Sequence, residues 1–231
     1  GLLPFVTVYS VDRNTTVDGD PRVDVNNAQG QELTDLFQKV MSADRAAVVL
    51  NRLRPERPFR NVLDFYFRSG LTMTEFESLA DQVTTNPAGP IPGLINVNTA
   101  PRQVLACLPG LEESDVTALL AKRADGGDNM STLAWVAGVL SAEKATAIGS
   151  FITTRGYQFS ADIVSVSGDG RAFRRCRVVV DAQSSPPKVV YRQDLTQLGW
   201  PLDPAILARL RAGASLDEIA PVRTLGQEVT R

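Results

Sequence analysis

Histidine is absent from these 231 residues, and cysteine occurs only twice. The first absence removes the commonest general base, the commonest transition-metal ligand and every Ser-His or Cys-His catalytic pair. The second leaves Cys107 and Cys176 too far apart for a CxxC redox or zinc motif. They read first as buried thiols, Cys107 on the apolar side of a helix and Cys176 inside a strand. A disulfide between them is the alternative that an oxidising compartment permits. No apolar run approaches the roughly 18 residues of a membrane span, and no signal peptide is visible. Charge of one sign is lacking too: the formal net charge of −2 gives no general attraction to phosphate backbones, so nucleic acid is not favoured. There is no nucleophile elbow, P-loop or paired-histidine motif, and the chain does not read as an enzyme. What remains is 43% hydrophobic content, ordinary for one or two globular domains with a real core.

The most informative stretch runs from Leu94 to Leu111. An extended apolar pair, Leu94 and Ile95, gives way to Asn98 and Thr99, whose side chains suit a helix cap. Ala100 and Pro101 fit a first helical turn, and Val104, Leu105 and Leu108 share one apolar face. Pro109-Gly110 then reverses the chain into a second helix that ends on Lys122 and Arg123. The result is a helix-hairpin-helix. The same pattern occurs earlier, pairing Asn26 with Asn98, Ala28 with Ala100 and Leu33 with Leu105. It continues with Arg52 and Arg123, Leu71 and Leu140, and Thr84-Thr85 and Thr153-Thr154. Such self-similarity marks a duplicated supersecondary module whose halves bury each other's apolar faces.

Copy one spans about 22–85 and copy two about 94–154, after an extended entry at 2–11. Expected helices in copy one run to about Val40, from Ser42 to Leu53 ahead of Pro55, through the Val62–Phe67 stretch, and from the Thr72/Glu75 capping box to Val83. Those of copy two fall near 100–108, 114–123, 131–139 and 142–153. Residues 86–93 read as a Pro- and Gly-rich linker. The aromatics Phe65, Tyr66 and Phe67 suit core packing or a partner-binding stripe, and Trp135 suits the core. From Tyr157 the period changes to two, giving strands joined at Asp169-Gly170 and a third strand from Lys188 to Leu195. Arg171, Arg174, Arg175, Arg177 and Arg192 suit a solvated sheet face or an anion site. The expected organisation is therefore a helical domain over 1–156, a small sheet over 157–202, and a short helix with a mobile tail over 203–231.

The phrase from Ile95 to Ala100, followed by Val104, Leu105 and Leu108-Pro-Gly110, resembles the signature of competence-type helix-hairpin-helix modules and of the minor pseudopilin called general secretion pathway protein K. The duplication, the entry at Leu3 to Ser10 and the strand-rich segment after copy two resemble the secretion protein, over roughly residues 1–200. The fold class implied is α+β, a duplicated helical (helix-hairpin-helix, SAM-like) domain followed by a small antiparallel pilin-like β-sheet. The function implied is that of a non-enzymatic tip component of a type II secretion pseudopilus, assembling with other minor pseudopilins. It would be periplasmic and tethered to the inner membrane by an N-terminal apolar helix that this sequence lacks, so an excised soluble region is expected. Without that helix the sheet is expected to expose its apolar face, unless the opening strand or the helix at 204–211 covers it.

The alternative function is DNA binding through the hairpins, as in the competence-like modules. Acidic Glu112, Glu113 and Asp115 beside the Gly110 turn, and the absence of glycine from Phe37 to Met41, argue against it. No cofactor is expected. Calcium is the one open alternative, with Asp18, Asp20 and Asp24 in the first acidic loop as its candidate ligands and Asp125 and Asp128 as a weaker pair. A plain turn explains both loops as well.

Overall fold

The computed structural model describes residues 5–28, 30–126, 130–200 and 203–215. The chain forms two compact units, 1–157 and 158–231.

In the first unit, β1 (Val11–Asp12) pairs antiparallel with β4 (Ile91–Pro92), so the linker between the copies is anchored to the entry segment. Copy one contains β2 (Val23–Asp24), α1 (Gly30–Gln38), α2 (Ala43–Glu56), α3 (Val62–Ser69), α4 (Met73–Leu79) and β3 (Val83–Thr84). Copy two repeats the order as β5 (Ile95–Asn96), α5 (Arg102–Leu105), α6 (Glu113–Ala124), α7 (Ala134–Val139), α8 (Ala142–Ile148) and β6 (Ile152–Thr153). Each copy closes on itself through a two-residue parallel bridge, β2 with β3 and β5 with β6. The flanking bonds are equivalent: Val23 N–H donates to Gln82 O and Val25 N–H to Thr84 O, while Ile95 N–H donates to Phe151 O and Val97 N–H to Thr153 O. The fourth helix of each copy therefore stops at Leu79 and Ile148, short of the expected 83 and 153. Its remaining residues serve as the closing strand, whose backbone groups pair across the copy instead of along the helix.

Helix starts follow their side chains. Ser42 accepts from Arg45 N–H and Ser141 from Lys144 N–H, and Thr72 with Glu75 forms the expected reciprocal box. Helix α2 runs past its expected end and takes in Pro55; in a last turn proline removes only one ladder bond. The core is continuous across both copies, with Leu33, Phe37, Leu53, Phe65 and Phe76 from one and Leu105, Leu119, Trp135 and Ile148 from the other. The aromatics of α3 belong to it: Phe65 is fully buried, and Tyr66 stacks on Phe76 at 4.3 Å. Cys107, by contrast, is exposed. Helix α5 ends at Leu105, so the helical face that was to bury this thiol does not extend to it.

The second unit is an antiparallel sheet in the order β7 (Gln158–Val166), β8 (Phe173–Asp181), β9 (Lys188–Asp194), with a bulge between Val179 and Val180. Gly170 turns the first hairpin at φ 65°, a conformation costly for any residue with a Cβ. A short 3₁₀ turn (Thr196–Leu198) follows, and α9 (Pro204–Arg211), capped by Asp203, buries Leu207 and Leu210. The register puts Phe159, Ala161 and Ile163 beside Val180, Val178 and Cys176 on one face. Phe159 is 59% exposed, Ile163 49% and Val189 62%, so apolar surface is left open on this unit. The tail from residue 216 and Asp128 lie outside the described residues.

Candidate functional site

The motif at the start of each copy is a turn stabilised by its own first residue. Asp24 Oδ1 accepts from Asn26 N–H at 2.9 Å, and Asn96 Oδ1 accepts from Asn98 N–H at 2.9 Å. Ala28 N–H donates to Asp24 O and Ala100 N–H to Asn96 O, which completes the same loop twice. Asn98 and Thr99 are thus not helix caps. The cap position of α5 is Pro101, with no side-chain cap bond. Asn98 instead ties distant segments together, its Nδ2 donating to Met130 O at 2.7 Å and Thr154 O at 3.1 Å. Asn26 plays the matching part with Phe59, donating to its carbonyl at 3.0 Å and accepting from its N–H at 2.8 Å. The aligned arginines differ: Arg123 donates to Val97 O and Ala100 O under the motif, whereas Arg52 turns away to Arg68 O.

A further correspondence is legible only in three dimensions. The third residue of the second helix pairs with the third residue of the fourth helix in both copies, but with opposite sign. Copy one has Arg45 with Glu75 at 2.9 Å, and copy two has Asp115 with Lys144 at 2.6 Å. The Arg45 bond, with help from Thr72, holds the Glu75 carboxyl down at about 2.

The entry loop seals the junction of the two copies. Asp12, only 3% exposed, accepts from Thr153 Oγ1 at 2.5 Å and from Asn14 N–H at 2.7 Å. Asn14 adopts φ 55°, which asparagine tolerates, and its amide donates to Asn86 O and Ala88 O. Asp81 accepts from Val17 N–H and pairs with Arg22 at 3.3 Å and Arg155 at 2.7 Å. Burial pushes the Asp81 carboxyl up, but the bonds from Arg155 and Val17 and the charges of both arginines outweigh it and hold its pKa below the ordinary value.

Beside this network lies a cavity of about 330 Å³. It is lined by counterparts from the two copies: Asp81 and Ser150, Val83 and Ile152, Thr84 and Thr153, Thr85 and Thr154. The residues that follow the Phe59 and Met130 acceptors also line it as counterparts, Arg60 with Ser131 and Asn61 with Thr132. Asn61 joins the copies directly. Its Oδ1 accepts from Leu63 and Asp64 N–H at the start of α3, and its Nδ2 donates to Thr146 O of α8 and to Ser150 Oγ.

Asp18, Asp20 and Asp24 are not brought together as a ligand set. Asp18 and Asp20 sit in an exposed turn, while Asp24 is committed to Asn26 and Asn27. Among the described residues no group of three His, Cys, Asp or Glu side chains suits a metal ion. Cys107 and Cys176 are both free thiols. The basic residues of the sheet are largely paired: Arg175 and Arg177 with Asp162, Arg174 with Asp194, and Arg171 with Asp169. The Gly110 turn leads into exposed Glu112 and Glu113, and nothing here favours a phosphate ligand. Among the described residues no helix is long and apolar enough to cross a membrane.

Residues 95–153 match the family model of type II secretion system (T2SS), protein K. The matched segment begins at β5 and ends at β6, so it coincides with one closed copy of the duplicated unit. No curated protein and no solved structure matches the chain.

Proposed function

We propose that this chain, a type II secretion component by the match of residues 95–153 to protein K, is a minor pseudopilin at the tip of the pseudopilus, assembling with other minor pseudopilins. The observation that carries the reading is the coincidence of that match with a complete, self-closed copy. A second copy of the same construction and a separate three-stranded antiparallel sheet accompany it, as the resemblance implied. The role is steric and interfacial, with no catalytic step. A helical unit of some 150 residues is too bulky for the interior of a filament of small subunits, so the subunit fits only at an end and favours initiation over elongation. The exposed apolar residues of the sheet unit suit burial in such an assembly. The proposed location is the periplasm, with an inner-membrane tether supplied by the family's N-terminal apolar helix.

Co-purification with the small pseudopilins of the same genome, scored by light scattering, tests this. A complex of fixed stoichiometry is the expected result. A monodisperse monomer with every candidate, at concentrations that saturate micromolar binding, refutes the tip reading.

A further inference from the structure

The cavity at the junction of the copies is lined in part by polar side chains that make few or no bonds within the fold. Among the described residues the Arg60 guanidinium has no hydrogen-bond or ion-pair partner; only its backbone N–H is engaged, with Asp64. The side-chain hydroxyls of Thr85 and Ser131 make no bond either, and Ser150 Oγ only accepts, from Asn61. The charges elsewhere in the lining are already matched. Asp81 is held by Arg22 and Arg155, and Asp12 by Thr153 and the Asn14 amide with Arg22 at 3.9 Å. Arg60 is the cation left over. A guanidinium and hydroxyl donors lining one cavity recognise an oxyanion, and the planar fork of arginine suits a carboxylate. The lining also carries aliphatic residues, among them Val62, Leu133 and Ile152, and the volume is at the lower end for small organic ligands.

We propose that this inter-copy cavity binds a carboxylate attached to an aliphatic group, as presented by a small organic acid or by the C-terminal residue of a peptide. Arg60 supplies the charge, Thr85, Ser131 and Ser150 supply hydroxyl donors, and the aliphatic lining residues, Val62 and Leu133 among them, contact the side chain. The two copies contribute unlike residues at equivalent positions, Arg60 against Ser131 and Asp81 against Ser150, so the duplicated frame becomes a one-sided site. The site does not depend on the tip position proposed above.

The test is titration of the ¹⁵N-labelled chain with N-acetyl-leucine, N-acetyl-leucinamide and inorganic phosphate, followed by amide shifts. Saturable shifts at Thr85, Ser131 and Ser150 are expected with N-acetyl-leucine, and at least tenfold weaker binding with the amide. Arg60→Ala weakens the acid about ten- to a hundredfold, the range for losing a charge-assisted bond, and Arg60→Lys falls between. Arg60 is exposed and its side chain has no partner, so an otherwise unchanged spectrum confirms that the variant folds. N-acetylated peptides ending in leucine with a free carboxylate separate the two sources: tighter binding than N-acetyl-leucine assigns the ligand to a peptide end, and equal or weaker binding assigns it to a small acid. Equal binding of acid and amide, no saturable shift at these residues, or indifference to Arg60→Ala overturns the proposal. Binding of phosphate without the acid overturns the carboxylate assignment.

Discussion

Gly149 of copy two packs against Asn61 of copy one, and replacing it by alanine sets two physical effects against each other. The residue ends α8 at φ −56°, an ordinary helical value, so backbone propensity alone predicts that alanine stabilises by about 0.5–1 kcal/mol. Sterics predict the reverse. A Cβ built there lies 2.3 Å from Asn61 Oδ1 and 2.5 Å from its Cγ. Asn61 is 4% exposed and makes four hydrogen bonds, two at the start of α3 and two to α8 and Ser150. It cannot swing away without releasing a helix cap, worth about 1 kcal/mol, and two part-buried amide bonds, worth roughly 1 kcal/mol each. After subtraction of the propensity gain, Gly149→Ala is expected to destabilise the first unit by about 2 kcal/mol.

Urea unfolding, followed by far-ultraviolet circular dichroism, measures this directly. The decisive comparison is a double-mutant cycle, because Asn61→Ala empties the space that the new methyl needs. In that background Gly149→Ala is expected to be neutral or slightly stabilising, giving a coupling of about 2 kcal/mol. If Gly149→Ala stabilises the natural sequence, or costs the same in both backgrounds, the Asn61 latch does not hold the copies together as argued.

The remaining predictions concern the repeated elements. Asn98→Ala and Asn26→Ala are each expected to cost about 1–2 kcal/mol in urea unfolding, because the first leaves two part-buried carbonyls without a donor and the second leaves the Phe59 carbonyl and N–H without partners; unchanged stability with lost partner binding would contradict this. Glu75 has its folded-state pKa lowered from 4.5 to about 2, so its contribution to stability is complete above pH 4.5 and is lost as pH falls towards 2. Glu75→Gln is expected to flatten the stability profile in that window, and an unchanged profile refutes the assignment. Cys107→Ser is expected to leave stability within about 0.5 kcal/mol, and native thiol labelling is expected to reach Cys107 before the half-buried Cys176.

The order of helices and the duplication were legible in the sequence because they rest on short-range signals. Apolar residues at helical spacing, Ser42, Thr72 and Ser141 as caps, and the repeated Asn-Ala phrase all act within a few residues of chain. The sheet was equally legible, since the period of two from Phe159 and the Asp169-Gly170 turn need no distant partner. Sequence reasoning failed where a residue's partner is far away. Asn98 was assigned to a cap, the local use of asparagine, but it bonds residues 32 and 56 positions on. The first acidic loop read as a solvated turn or a cation site, and the structure spends Asp12 on Thr153, 141 residues away. The cavity had no local signal at all, because its wall is assembled from equivalent positions that only the pairing of the copies brings together.

The duplication itself separates what the fold demands from what it leaves free. Where both copies need the same bond, the residue or its chemistry recurs, as in Asp24 and Asn96 accepting from the residue two places on. Where the fold needs a pair but is indifferent to its polarity, the sign has inverted, as in Arg45–Glu75 against Asp115–Lys144. A residue that neither recurs nor is compensated is therefore not explained by the module. Arg60 is such a residue: its counterpart is Ser131, its guanidinium meets no carboxylate, and it borders the cavity formed by both copies. An unpaired guanidinium contributes little to stability, so Arg60→Ser, which restores the symmetry, should leave the urea midpoint unchanged while weakening carboxylate binding as much as Arg60→Ala does. Loss of stability in that variant would return Arg60 to the structural residues and leave the cavity without its ligand.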